Sequence, residues 1–179
     1  MISKRDVPRC IVLTDARNDS GLARAIMRLP RGSAVVFRHY HLNQDARRER
    51  FMRLRKLAEG RGVLMIGAQV PSGWRANGIY GSAKDIAGMA GLRLATAHSL
   101  REIGMAMRAG AHAVLLSPVF ATRSHPGAKV LGAVRFLMLA WQSPLPVIAL
   151  GGMTAARARR LPVHGWAAID GFVPGAAKR

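Results

Sequence analysis

Eight short apolar runs, each ending in polar residues, restrict this chain's fold more than any other feature does. They occupy residues 10–13, 33–37, 63–66, 78–81, 92–96, 113–116, 146–150 and 166–169. Between them lie segments of helical periodicity or stretches too short for a full helix. Residues 21–29 place Leu22, Ala25, Ile26 and Leu29 at the i, i+3, i+4, i+7 spacing of one helix face. Residues 47–61 do the same with Phe51, Leu54, Leu57 and Ala58 and carry a dense set of arginines, read as a solvated face. Ser99 caps a helix running to Ala109, with Glu102 at the capping-box position. A further helix follows from Ala133 to about Gln142, and Thr154 caps a short basic one. Strands alternating with helices indicate a parallel α/β fold, and eight of them a (β/α)8 barrel.

Such barrels usually need 200 residues or more, and this chain has 179. The saving is visible. Pro71-Ser72-Gly73 and Asn77-Gly78 leave no room for a third helix, and only a few residues follow Val173, where an eighth would lie. The expectation is a reduced TIM (β/α)8 barrel over residues 1–179 as a single domain, with a truncated third helix and no full eighth helix. An open doubly wound sheet is the alternative. No run reaches the roughly 18 apolar residues of a membrane span. The first residues lack the apolar centre of a signal peptide, and the single cysteine, Cys10, excludes an internal disulfide. A cytoplasmic protein with no membrane partner is expected.

Charge narrows the partners. The chain holds 28 Lys and Arg against 9 Asp and Glu, a formal +19, so anionic partners are favoured. One small phosphorylated ligand needs only a few cations. The rest is general surface bias or a polyanion-binding property, with nucleic acid bound non-specifically if at all.

In a barrel the C-terminal strand ends share one face, where chemistry usually sits. Arg38, Thr96, His98, Thr122, Ser124, His125, Gly151-Gly152 and Asp170 all fall at or just after strand ends. Glycines after the seventh strand suit a phosphate, because no Cβ blocks approach to the backbone. The loop from Ser117 to Gly132, SPVFATRSHPGAKVLG, adds hydroxyls at Thr122 and Ser124, cations at Arg123 and Lys129, and the titratable His125. A solvated basic loop and a dimer contact are the other readings of that segment, and a homodimer stays open.

The same residues carry a resemblance. Thr96-Ala97-His98 with Glu102, Ala109-Gly110-Ala111-His112, Leu116 to Thr122, and Pro146 to Met153 resemble the thiamine phosphate synthase/TenI superfamily. The similarity spans about Val12 to Gly171. The wording of the long loop is most similar to TenI-like domains fused to Nudix hydrolases. The resemblance implies a (β/α)8 barrel and a place in thiamine biosynthesis. Its members join a pyrimidine diphosphate to a thiazole phosphate with Mg²⁺, or tautomerise the thiazole phosphate. It assigns Arg38 and Thr96 to the diphosphate, Thr122 and Ser124 to the neighbourhood of the thiazole, and Gly152, beside Gly151, to its phosphate. His98 matches a frequent family histidine and reads equally as a helix-start residue capping the sheet.

Departures from that pattern matter. Val36 and Tyr40 replace a Gln and a Lys flanking Arg38, and Gly67-Ala68-Gln69 lacks the usual Mg²⁺-binding Asp after strand three. Asp85 is near a second metal position without matching it, and His125 stands where the synthases keep a Lys. Asp170 occupies a position usually held by a phosphate-binding Ser, and an anion there would repel a phosphate. Diphosphate departure needs its charge neutralised, whereas tautomerisation needs a base, an acid and a phosphate grip. His125 or His98 would then be catalytic. Condensation, tautomerisation and a non-catalytic, repurposed phosphate-binding barrel with polyanion affinity all stay open.

Overall fold

The computed structural model describes residues 2–123, 127 and 129–172. The eight apolar runs form eight parallel strands, closed into a barrel in sequence order. In order, the elements are β1 (Cys10–Leu13), α1 (Leu22–Arg28), β2 (Ala34–Phe37), α2 (Gln44–Gly60) and β3 (Leu64–Gly67). Next come β4 (Gly78–Gly81), α3 (Ala83–Ile86), β5 (Leu92–Ala97), α4 (Leu100–Arg108) and β6 (Ala113–Leu116). The chain continues with α5 (Gly132–Trp141), β7 (Val147–Leu150), α6 (Ala155–Ala158) and β8 (Gly165–Ala168). Closure is the pairing of β8 with β1, Cys10 opposite Trp166 through Val12 opposite Ala168.

Period-two alternation divides each strand between two cores. Ile11, Leu13, Val36, Ile66, Leu94, Leu115 and Ile148 point into the barrel. Val12, Val35, Phe37 and Met65 point outward beneath α1 and α2, and Val114, Leu116 and Ala149 beneath α4 and α5. Both strand faces are buried, which explains why the runs read as continuously apolar. Each fully buried aliphatic side chain contributes roughly 1.5–3 kcal/mol.

The expected economy is present: β3 and β4 are joined by a single 3-10 turn, Ser72–Trp74. The stretch expected to lack a full eighth helix begins at residue 173, outside the described residues. In α2 the structure corrects the solvated-face reading. The helix starts earlier, at Gln44, because Asn43 caps it by accepting from the Ala46 N–H. Several of its arginines face the protein. Arg47 donates to the carbonyls of Arg38 (3.1 Å), Gln69 (2.9 Å) and Ala68 (2.6 Å). Arg50 binds Asp19. At the far end of the closure, Asn18 Nδ2 donates to the carbonyls of Leu13 and Ile169, tying the ends of the first and last strands together. Among the described residues, no helix is long and apolar enough to cross a membrane.

Candidate active site

The connections that leave the strands enclose a cleft of about 620 Å³ at one end of the barrel. Arg38, Thr96, His98, Thr122, Gly151 and Gly152 all line it, although they come from four different strand ends. These are the expected site residues that lie among the described ones, and the fold brings them together. Ser124 and His125 lie outside the described residues.

Arg38 is aimed by β1. Its backbone N–H donates to Thr14 Oγ1 (2.8 Å), its Nε–H to the Thr14 carbonyl (3.0 Å), and Nη2 pairs with Asp15 Oδ2 (3.3 Å). Nη1 has no hydrogen-bond partner among the described residues, and it remains as a donor for an anion. Partial burial works to raise the Asp15 carboxyl. Hydrogen bonds from Arg17, with the charges of Arg17 and Arg38, outweigh it and hold the group below its ordinary value.

A buried relay supports this arrangement. Asp19 Oδ1 accepts from Arg50 Nε (2.9 Å) and contacts His39 Nε2 at 2.7 Å. A carboxylate only accepts, so the bond requires the His39 proton on Nε2. Burial, the leading effect on His39, lowers its pKa against the opposing pull of Asp19 and favours the neutral ring. Nδ1 must then accept from the Thr14 hydroxyl (2.6 Å), whose oxygen in turn accepts from Arg38. The tautomer is assigned by this network. His39 adopts φ 36°, uncommon without glycine; stacking on Phe37 at 4.7 Å and the two hydrogen bonds hold it there.

His98 is set by Glu102. Both the His98 backbone N–H and Nδ1 lie 2.8 Å from Glu102 Oε2. In the neutral ring this contact selects the tautomer with the proton on Nδ1; Nε2 has no hydrogen-bond partner among the described residues, and His98 lines the cleft. This modifies the expected capping box. Ser99 accepts from the Glu102 N–H as foreseen, but the Glu102 side chain reaches back one residue further, to His98.

Gly151 (φ 100°) and Gly152 (φ 59°) occupy left-handed backbone. A Cβ on Gly151 would come within 2.7 Å of Pro118 Cα, and one on Gly152 would strike the Ala121 carbonyl. Glycine is therefore required by the packing of the β6 loop against the β7 loop, as well as by any ligand. Arg157 donates to the Gly152 carbonyl and lies over Phe120, 4.6 Å from its ring centre. Asp170, read from sequence as repelling an anion, is neutralised: Arg123 reaches it at 3.1 Å and Arg17 at 3.7 Å. Asp15, Arg17 and His39 were not expected as site components. Their only signal was the polar cluster following the first strand and the His beside Arg38.

The described residues do not suit Mg²⁺. No cluster of three His, Cys, Asp or Glu lies among them. Asp15 and Asp170 are tied to arginines. Asp85 accepts from the Ser82 N–H (2.8 Å) and hydroxyl (2.7 Å), capping α3. Ala68 and Gln69 offer no carboxylate.

Fold and cleft together define a (β/α)8 barrel with an arginine-rimmed pocket at the C-terminal ends of its strands. Solved structures share the fold. A thiamine phosphate pyrophosphorylase from Pyrococcus furiosus superposes with a TM-score of 0.78 at 22% identity, covering 93% of this chain and 87% of that one. FabK from Thermotoga maritima gives 0.67 at 17% identity over 93% of this chain and 59% of its own. In sequence, "Putative thiamine-phosphate synthase 2" of Aquifex aeolicus (strain VF5) is 41% identical over 59 residues. That stretch covers 33% of this chain and 32% of the relative. The family model described as thiamine monophosphate synthase matches residues 82–172, just over half of the 179. The chain belongs to the thiamine monophosphate synthase family. The match contains His98, Thr122, Gly151 and Gly152; Arg38 precedes it.

Proposed function

We propose that this chain acts in thiamine biosynthesis by binding a thiazole phosphate in the cleft and moving a proton on the thiazole ring. One observation carries the reading. His98 lines a cleft whose described lining carboxylate, Asp170, is tied to arginines, and its Nε2 has no hydrogen-bond partner among the described residues. The phosphate would meet Gly151-Gly152 and Thr122, and Arg38 Nη1 would supply the nearby positive charge. His98 Nε2 would accept the proton, with Glu102 stabilising the imidazolium that forms. Condensation with a pyrimidine diphosphate is the second reading. Arg38 favours it, since its unengaged Nη1 suits a diphosphate oxygen, but the poor fit to Mg²⁺ weighs against it.

Both reactions can be run side by side. The purified protein receives the unaromatised thiazole phosphate with EDTA. Separately it receives thiazole phosphate, pyrimidine diphosphate and Mg²⁺. The expected result is metal-independent tautomerisation that falls about 10²–10⁴-fold in His98→Gln, with slow condensation. His125→Gln is measured alongside, because His125 is the other candidate base. Rapid Mg²⁺-dependent condensation would overturn the tautomerase reading. Silence in both assays with phosphate still bound would leave a non-catalytic barrel.

A further inference from the structure

In a parallel barrel the connections leading into the strands lie at the end opposite the cleft. Lys4, Arg5 and Arg9 lead into β1, Arg31 into β2 and Arg61 into β3. Arg75 leads into β4, and Arg159 and Arg160 into β8, while Arg28 and Arg108 end α1 and α4. All ten are exposed. None pairs with a carboxylate among the described residues. The carboxylates described at this end are Asp6, engaged by Ser3, and Glu59 in the last turn of α2, paired with Arg55. At the cleft end the balance differs. The described connections leaving the strands carry Arg17, Arg38, Arg123 and Lys129 against Asp15, Asp19 and Asp170. The excess charge is concentrated at the end away from the cleft.

Helix dipoles explain part of this. Arg28, Arg61, Arg108 and Arg159 stand at helix C-termini, where cations are favoured. Lys4, Arg5, Arg9, Arg31, Arg75 and Arg160 do not. Neighbouring connections also bring these cations close together. The Arg31 guanidinium lies against Gly62, 3.2 Å from where a Cβ would sit, and the Gly32 N–H donates to the Gly62 carbonyl. Gathering like charges destabilises a compact protein. A bound polyanion offsets that repulsion and releases its counterions.

We propose that this end of the barrel binds the phosphodiester backbone of nucleic acid, without sequence preference. Nine of the ten cations are arginines, whose planar fork matches phosphate oxygens. A lone metabolite phosphate would occupy few of them. An anionic membrane is disfavoured because no exposed apolar row spans this end: Met27, Met89 and Met107 lie on separate elements, and Trp141 closes a row with Val134 and Met138 that runs along α5 rather than across the basic end.

The test measures fluorescence anisotropy of a labelled 20-nucleotide polyuridine RNA between 50 and 200 mM salt. The triple variant Arg31→Gln/Arg61→Gln/Arg160→Gln is compared with an equal-charge control, Lys84→Gln/Arg101→Gln/Arg135→Gln, on α3, α4 and α5. The first triple should flatten the slope of log affinity against log salt by about 2 and bind at least tenfold more weakly at 150 mM. The control should stay within about twofold of the parent, with thermal melts confirming that both variants fold. Equal losses in the two triples would mean diffuse charge and overturn the proposal. So would no binding by the parent, or binding to phosphatidylserine vesicles without RNA binding.

Discussion

Thr14 is fully buried, yet three polar contacts of the site converge on its hydroxyl and carbonyl. Its hydroxyl is the sole link between His39 Nδ1 and the Arg38 backbone, so an isosteric apolar residue strands a buried acceptor and a donor together. Each stranded group costs about 1–3 kcal/mol. Thr14→Val should therefore lose at least that amount in urea unfolding. Thr14→Ser, which keeps the hydroxyl, should lose clearly less. Equal losses would show that the methyl packing, not the relay, is what matters at this position. His39 itself was visible in the sequence only as one of four polar residues following the second strand. Nothing in the spacing distinguished it from His41, which is exposed. Its importance arises because the closing barrel sets β1 beside β2 and places Asp19, 20 residues away, against its ring.

At the scale of elements, the absence of a helix between β3 and β4 leaves that connection in need of another support, and α2 provides it. Arg47 donates to the carbonyls of Ala68 and Gln69 and lies over the rings of Phe37, Tyr40 and Trp74 at 5.4–5.8 Å. Gln69 is held there at φ 52°. Met in place of Arg47 keeps the apolar length but none of the donors. Arg47→Met should accelerate amide exchange across residues 68–77 by roughly tenfold or more, since charged hydrogen bonds contribute about 1.5–3 kcal/mol each. Protection unchanged from the parent would mean that the loop is held by Trp74 packing alone. The helix was readable from Phe51, Leu54 and Ala58, all buried as expected. Its inward arginines were not, because a long side chain that carries its charge to a backbone carbonyl has the same sequence signature as one pointing into water.

For the whole molecule, acid is the expected weakness. Burial is the leading effect on His39, His112 and His164, and all three have lowered pKa values. The unfolded chain then takes up protons that the folded one refuses, so their contribution is full above pH 6.5 or so and is lost as pH falls below it. For His39 the facing charges are Asp19, which opposes the shift, and His41 and Arg50, which reinforce it. Asp15 and Asp19 are held low, and their contribution fades only further down, below about pH 4. Thermal melts should therefore show a falling midpoint from pH 7 to 5, at no more than about 1.4 kcal/mol per pH unit for each histidine, and a steeper fall below 4. A midpoint that stays level or rises between pH 7 and 5 would contradict the burial of these rings.

The sequence by itself determined the eight strands, their parallel order, the truncated third connection and most of the cleft's lining. Each of these follows from local periodicity: a strand buried on both faces must be continuously apolar, and a barrel delivers every strand end to one place. Only the tertiary structure decided which charges there are spent. Asp170 looked hostile to phosphate until Arg17 and Arg123 were found on it. Glu102 looked like a helix cap until it was found to hold the His98 ring. Asp85 looked near to a metal position until it was found capping α3. A carboxylate's role depends on which donor lies within about 3 Å of it, and that partner is three residues, four residues or more than forty residues away in the chain.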